Sequence, residues 1–141
     1  MTNPAYLLDT SALLTLIEDE AGADRVEQLL RTAPVIIPWM CVFEVTYITE
    51  QERDVTEAER RYALIKSLPV THVWEHDEAL LFTAARLKAQ YHLSLADTII
   101  AACALRASAT LVHKDPQFEA LDGLLSLEAL PYKNPSKSKQ R

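Results

Sequence analysis

Five short candidate strands, rich in apolar and β-branched residues and separated by longer stretches of helical periodicity, limit what this chain can fold into more than any other feature. They fall at residues 5–8, 35–37, 70–73, 110–112 and 125–127. Each is too short for a helix, and each reads as a strand; the first two read as buried strands. Between them, apolar residues recur at helical spacing over residues 11–17, 21–31, 77–91 and 94–106. A further helix is expected from Pro38 to about residue 51, since proline suits a first helical turn. Another is expected from Thr56 to about residue 68, where Thr56 and Glu59 have the spacing of a capping box. Strands alternating with helices predict an α/β fold, with a central, mostly parallel sheet of four to five short strands flanked by helices.

Length and composition agree with a single domain. The chain has 141 residues, of which 49% are hydrophobic, enough for a sizeable core. Residues 1–133 are expected to form that domain. Residues 134–141, NPSKSKQR, are polar and basic and are expected to be a disordered tail. Only two glycines occur, Gly22 and Gly123, so a phosphate-cradling glycine loop is absent. Net charge is −6, which does not advertise a general affinity for nucleic acid. Cys41 and Cys103 lie within apolar helical patterns and read as small core residues in a reducing compartment. No signal peptide is visible, and no apolar run reaches the roughly 18 residues that span a bilayer. A soluble, cytoplasmic protein without membrane contact is expected.

Four carboxylates stand in unlikely settings. Asp9, in YLLDTSALL, ends the first apolar run. It suits a helix N-cap, and it also suits a ligand position, because sites in parallel α/β folds gather beyond the carboxyl ends of strands. Glu44 lies in WMCVFEVTYI, where Trp39, Met40, Val42, Phe43, Val45 and Ile48 surround it. A helix apolar on every face is expected to be buried, and a buried carboxylate needs a partner or a purpose. Asp97, in LSLADTIIAACA, stands three residues after Ser94 as in a capping box, but is shorter than the usual Glu or Gln. Asp115, in LVHKDPQF, directly follows a strand and precedes a proline, as a turn would require. If the four converge, they repel one another, and a hard divalent cation is the natural remedy.

The motifs LLDTSAL, FEVTYI, LSLADTIIAACA and LVHKDPQFEAL, in this order, resemble a PIN-domain nuclease, and most closely the compact bacterial VapC-type toxins of toxin–antitoxin pairs. The resemblance runs from about residue 6 to residue 130. It implies a PIN-like fold and a Mg²⁺- or Mn²⁺-dependent endoribonuclease that hydrolyses RNA phosphodiester bonds. It places the catalytic and metal-binding acids on Asp9, Glu44, Asp97 and Asp115. Ser11 matches a hydroxyl that supports the metal site. A homodimer and a small antitoxin that occludes the site are implied as partners.

The chain departs from that pattern in two places. Many relatives have a small hydroxyl residue where His113 stands, and a further acid where Gln117 stands. One well-held metal is therefore expected in the resting enzyme, with a second recruited by substrate if at all. Glu119 is expected to be a solvated surface acid, Lys114 an exposed lysine and His113 structural. A basic strip facing RNA is expected to draw on Arg60, Arg61, Arg86, Lys88 or the basic tail, and no RNA-binding role is assigned to any one of them, because charges on helices are usually just solvated faces. An RNA-maturation nuclease without an antitoxin, or an inactive PIN-like binding module, are the alternative readings. A phosphatase of the aspartyl-nucleophile type would need an acid where Ser11 stands. A phospho-receiver domain would need an acidic pair before Asp9.

Overall fold

The computed structural model describes residues 4–133; the expected tail, residues 134–141, lies outside them. The chain runs β1 (Tyr6–Leu8), α1 (Thr10–Ile17), α2 (Ala23–Thr32), β2 (Val35–Pro38), α3 (Trp39–Glu52), α4 (Val55–Ser67), β3 (Thr71–Val73), α5 (Glu78–Gln90), α6 (Leu95–Ala107), β4 (Thr110–His113), a 3-10 turn (Pro116–Leu121) and β5 (Leu127–Ala129). All five strands form one parallel sheet in the order β3-β2-β1-β4-β5. The order explains where a site can form. The chain first builds outward from β1 through β2 to β3, then returns to the other side of β1 with β4. That reversal leaves a crevice beyond the carboxyl ends of β1 and β4. Leu8 pairs with Val112 in the ladder, so Asp9 and His113 face each other across the seam.

Helices cover both faces of the sheet, as a parallel sheet requires. Leu7, Leu8, Ile37, Leu111 and Val112 are fully buried, together with Leu13 of α1, Val26 of α2 and Ile100 of α6. Both cysteines are free and buried, as the sequence led us to expect. Burial pushes the Cys103 thiol up to about 11.

Several expectations need correction. α4 is capped by Asp54, whose carboxylate accepts from the Glu57 amide at 2.7 Å, not by Thr56. Asp54 and Glu57 have the same three-residue spacing as Thr56 and Glu59, and the earlier pair sets the start. β5 begins two residues later than the apolar run, because Leu125 is buried in the core ahead of the strand.

The α3 helix is not buried all round. Trp39, Phe43 and Tyr47 are 39%, 46% and 39% exposed. They form a ladder one turn apart, with ring centroids 5.0 and 5.3 Å from one another. Arg61 belongs to no surface strip: it is 5% exposed and bridges Glu18 at 3.2 Å and Glu57 at 3.1 Å. This ion pair ties α4 to the end of α1.

Candidate active site

Asp9 follows β1 directly and caps α1. Its Oδ1 accepts from the Ala12 amide at 2.7 Å, and the Ser11 hydroxyl lies 2.7 and 2.9 Å from its two oxygens. Ser11 in turn accepts from the Lys114 amide at 2.9 Å, so the first turn of α1 is sewn to the end of β4. An N-cap position favours a carboxylate anion. Burial overrides it. Asp9 is 3% exposed, and its carboxyl is pushed up to about 7, chiefly by desolvation and further by the charges of Asp97 and Asp115.

Asp97 comes from the first turn of α6, where Ser94 caps the helix by accepting from the Asp97 amide at 3.1 Å. Its carboxyl is pushed up to about 6, first by burial and then by the charges of Asp115 and Glu44. Asp115 opens the 3-10 turn after β4 and accepts from the Gln117 amide at 2.9 Å. Glu44 reaches in from α3, half-buried, and accepts from the Thr10 hydroxyl at 2.6 Å. Asp97 and Asp115 thus lie near enough to act on Asp9, and Asp115 and Glu44 near enough to act on Asp97, although the four acids come from four different elements.

Among the described residues, none of these four has a lysine, arginine or histidine nitrogen within 4.0 Å. The nearby cation, Lys114, is turned to Glu20 at 3.7 Å with its side chain only 4% exposed, which corrects the expectation of an exposed lysine. His113 is buried against Phe118 and Tyr132. Its Nδ1 accepts from the Asp115 amide at 3.1 Å, and burial holds its pKa below the ordinary value despite the Asp115 charge. It is a neutral brace for the Asp115 turn. Glu119 is exposed and accepts from the Tyr132 hydroxyl at 2.8 Å.

Among the described residues no three His, Cys, Asp or Glu side chains form a ready-made cage for an ion. The donor set is nonetheless all oxygen, acidic and without a cationic partner. That chemistry suits a hard ion that keeps most of its waters and takes only one or two carboxylates. Thr10 is the contributor that sequence reasoning missed, because its partner is 34 residues away and no local spacing marks the pair.

A family model described as PIN domain matches residues 6–124, most of the chain. The chain belongs to the PIN-domain family. This PIN domain superposes on a chain of the VapBC2 complex of Rickettsia felis, solved with a promoter DNA fragment, with a TM-score of 0.76, 18% identity and 90% and 99% of the two chains covered. It superposes likewise on VapBC-1 of nontypeable Haemophilus influenzae (TM-score 0.70, 20% identity, 89% and 97% covered). VapC20 of Mycobacterium tuberculosis, named as a toxin cleaving the sarcin–ricin loop, gives a TM-score of 0.67 at 16% identity, with 83% and 95% covered. At these identities the likeness establishes a shared fold. No curated protein sequence matches this PIN domain. Among its described residues no helix is long and apolar enough to cross a membrane.

Proposed function

We propose that this PIN domain is a Mg²⁺- or Mn²⁺-dependent endoribonuclease and the toxin of a cytoplasmic toxin–antitoxin pair. The observation that carries the reading is Asp9, a nearly fully buried carboxylate with other acids near it and, among the described residues, no cationic partner. A fold does not maintain such a group for stability, because burying unpaired charge costs several kcal/mol (about 4 for a shift of this size). Solved structures with the same fold include toxin–antitoxin assemblies and a toxin named for cleaving the sarcin–ricin loop, which favours this reading over a maturation nuclease.

In this reading Asp9 and Asp97 are the direct ligands, and Asp115 comes next. Glu44 would reach the ion through a water or orient the attacking water. Ser11 keeps Asp9 in one rotamer. A divalent ion bound there supplies Lewis-acid polarisation of the phosphate and a water of lowered pKa. Hydrolysis would join the water oxygen to phosphorus and break the bond to the 3′-oxygen, the water giving up a proton to solvent and the 3′-oxygen taking one from solvent, to leave a 5′-phosphate and a 3′-hydroxyl. The RNA 2′-hydroxyl takes no part. Two apolar surfaces offer docking area for an antitoxin and for a second copy in a homodimer. One is the Trp39–Phe43–Tyr47 ladder of α3. The other is a groove of about 360 Å³ between α5 and α6, beside the exposed Leu81 and Leu95.

The test is cleavage of a mixed RNA pool. The full chain is expected to cut it in Mg²⁺, to stop in EDTA and to resume when Mg²⁺ or Mn²⁺ is restored. Cutting that ignores EDTA would replace the metal mechanism with a metal-free one.

A further inference from the structure

We propose that Thr10 is a positioning residue, whose hydroxyl fixes the Glu44 carboxylate beside Asp97; this rests on reading the acid cluster as a divalent-ion site. Glu44 is otherwise poorly held. It projects from α3, a helix whose neighbouring positions Phe43 and Tyr47 face solvent. Among the described residues it has no cationic partner within 4.0 Å. A long, flexible carboxylate beside another acid would turn outward into water, where repulsion is screened.

Thr10 prevents this with a short, charge-assisted hydrogen bond of 2.6 Å to Oε1. Thr10 is the first residue of α1, next to Asp9. One backbone turn therefore supplies both the buried acid and the anchor for the acid from α3. The distance between these two carboxylates is set by α1 rather than by the packing of α3. Because Oε1 is occupied, the second Glu44 oxygen is left for the ion or a water on it. A simple brace between α1 and α3 would use the same bond, so the test must separate bracing from positioning.

Mn²⁺ binding to the full chain, followed by electron paramagnetic resonance of the free ion, makes that separation. Thr10→Val keeps the shape and loses the hydroxyl, and Thr10→Ser keeps the hydroxyl. Thr10→Val is expected to weaken Mn²⁺ binding about tenfold, and Thr10→Ser to bind within about twofold of wild type, the range typical of groups that orient metal ligands. In a Glu44→Gln background Thr10→Val is expected to cost nothing more. If Thr10→Val does not fold, Thr10→Ala takes its place in the same cycle. Wild-type affinity in the hydroxyl-less variant, or an equal loss with and without the Glu44 carboxylate, would overturn the proposal. A wild-type chain that binds Mn²⁺ but cuts no RNA would overturn the nuclease reading alone. A wild-type chain that binds no Mn²⁺ would overturn both.

Discussion

Asp9→Asn is expected to abolish RNA cleavage, by about a thousandfold or more, while making the metal-free protein more stable at pH 8. The two effects share one cause. Asn keeps the acceptor that caps α1 at the Ala12 amide but carries no charge into the buried site. In the wild type the Asp9 pKa rises from 3.8 to about 7 on folding. The folded state therefore holds more protons than the unfolded state between those values, and wild-type stability falls as pH rises through that window. The full penalty is present above pH 7 and is about 4 kcal/mol. The variant escapes it. Its advantage is expected to be largest at pH 8 and to shrink toward zero near pH 4, measured by denaturant unfolding in EDTA. A variant less stable than wild type at pH 8 would mean that the Asp9 charge is structurally needed, which contradicts the site described here.

Metal binding is expected to expel protons. Asp9 and Asp97 titrate near 7 and 6 without metal, and a divalent ion binds their ionised forms. Below pH 7 the ion must displace protons, so affinity should climb about tenfold per pH unit for each proton released and level off above pH 7. Cleavage should follow the same curve. Calorimetry of Mg²⁺ binding at pH 6 and pH 8, in buffers of different ionisation enthalpy, reads the proton count directly. Release at pH 6 and almost none at pH 8 is the expected result. Binding with no proton release at pH 6 would show that the ion sits elsewhere.

Much of this was legible in the sequence, for physical reasons. Short apolar runs between helical periods can hardly build anything but a parallel α/β layer, and all five strands lie close to where those runs place them. Strand ends and helix starts are local signals, so Asp9, Asp97 and Asp115 could be singled out from their neighbours alone. Glu44 was singled out too, but for a wrong reason. Its helix is apolar all round, yet one apolar face is the solvent-facing Trp39–Phe43–Tyr47 ladder. Periodicity reports which faces are apolar and cannot report which of them the chain itself covers. Arg61 and Lys114 show the same limit for charge: both looked like surface cations, and both side chains are buried against glutamates contributed by distant turns. Thr10 was invisible because its role exists only once α1 meets α3.

In the proposed function Asp9 and Asp97 hold one divalent ion directly, and Asp115 and Glu44 stand around it. Crystals of the full chain soaked in Mn²⁺, with data collected at the manganese absorption edge, test it most directly. A strong anomalous peak within coordination distance of the Asp9 and Asp97 carboxylates, and lost in Asp9→Asn, is the expected result. A peak only at other carboxylates, or none at saturating Mn²⁺, would contradict it.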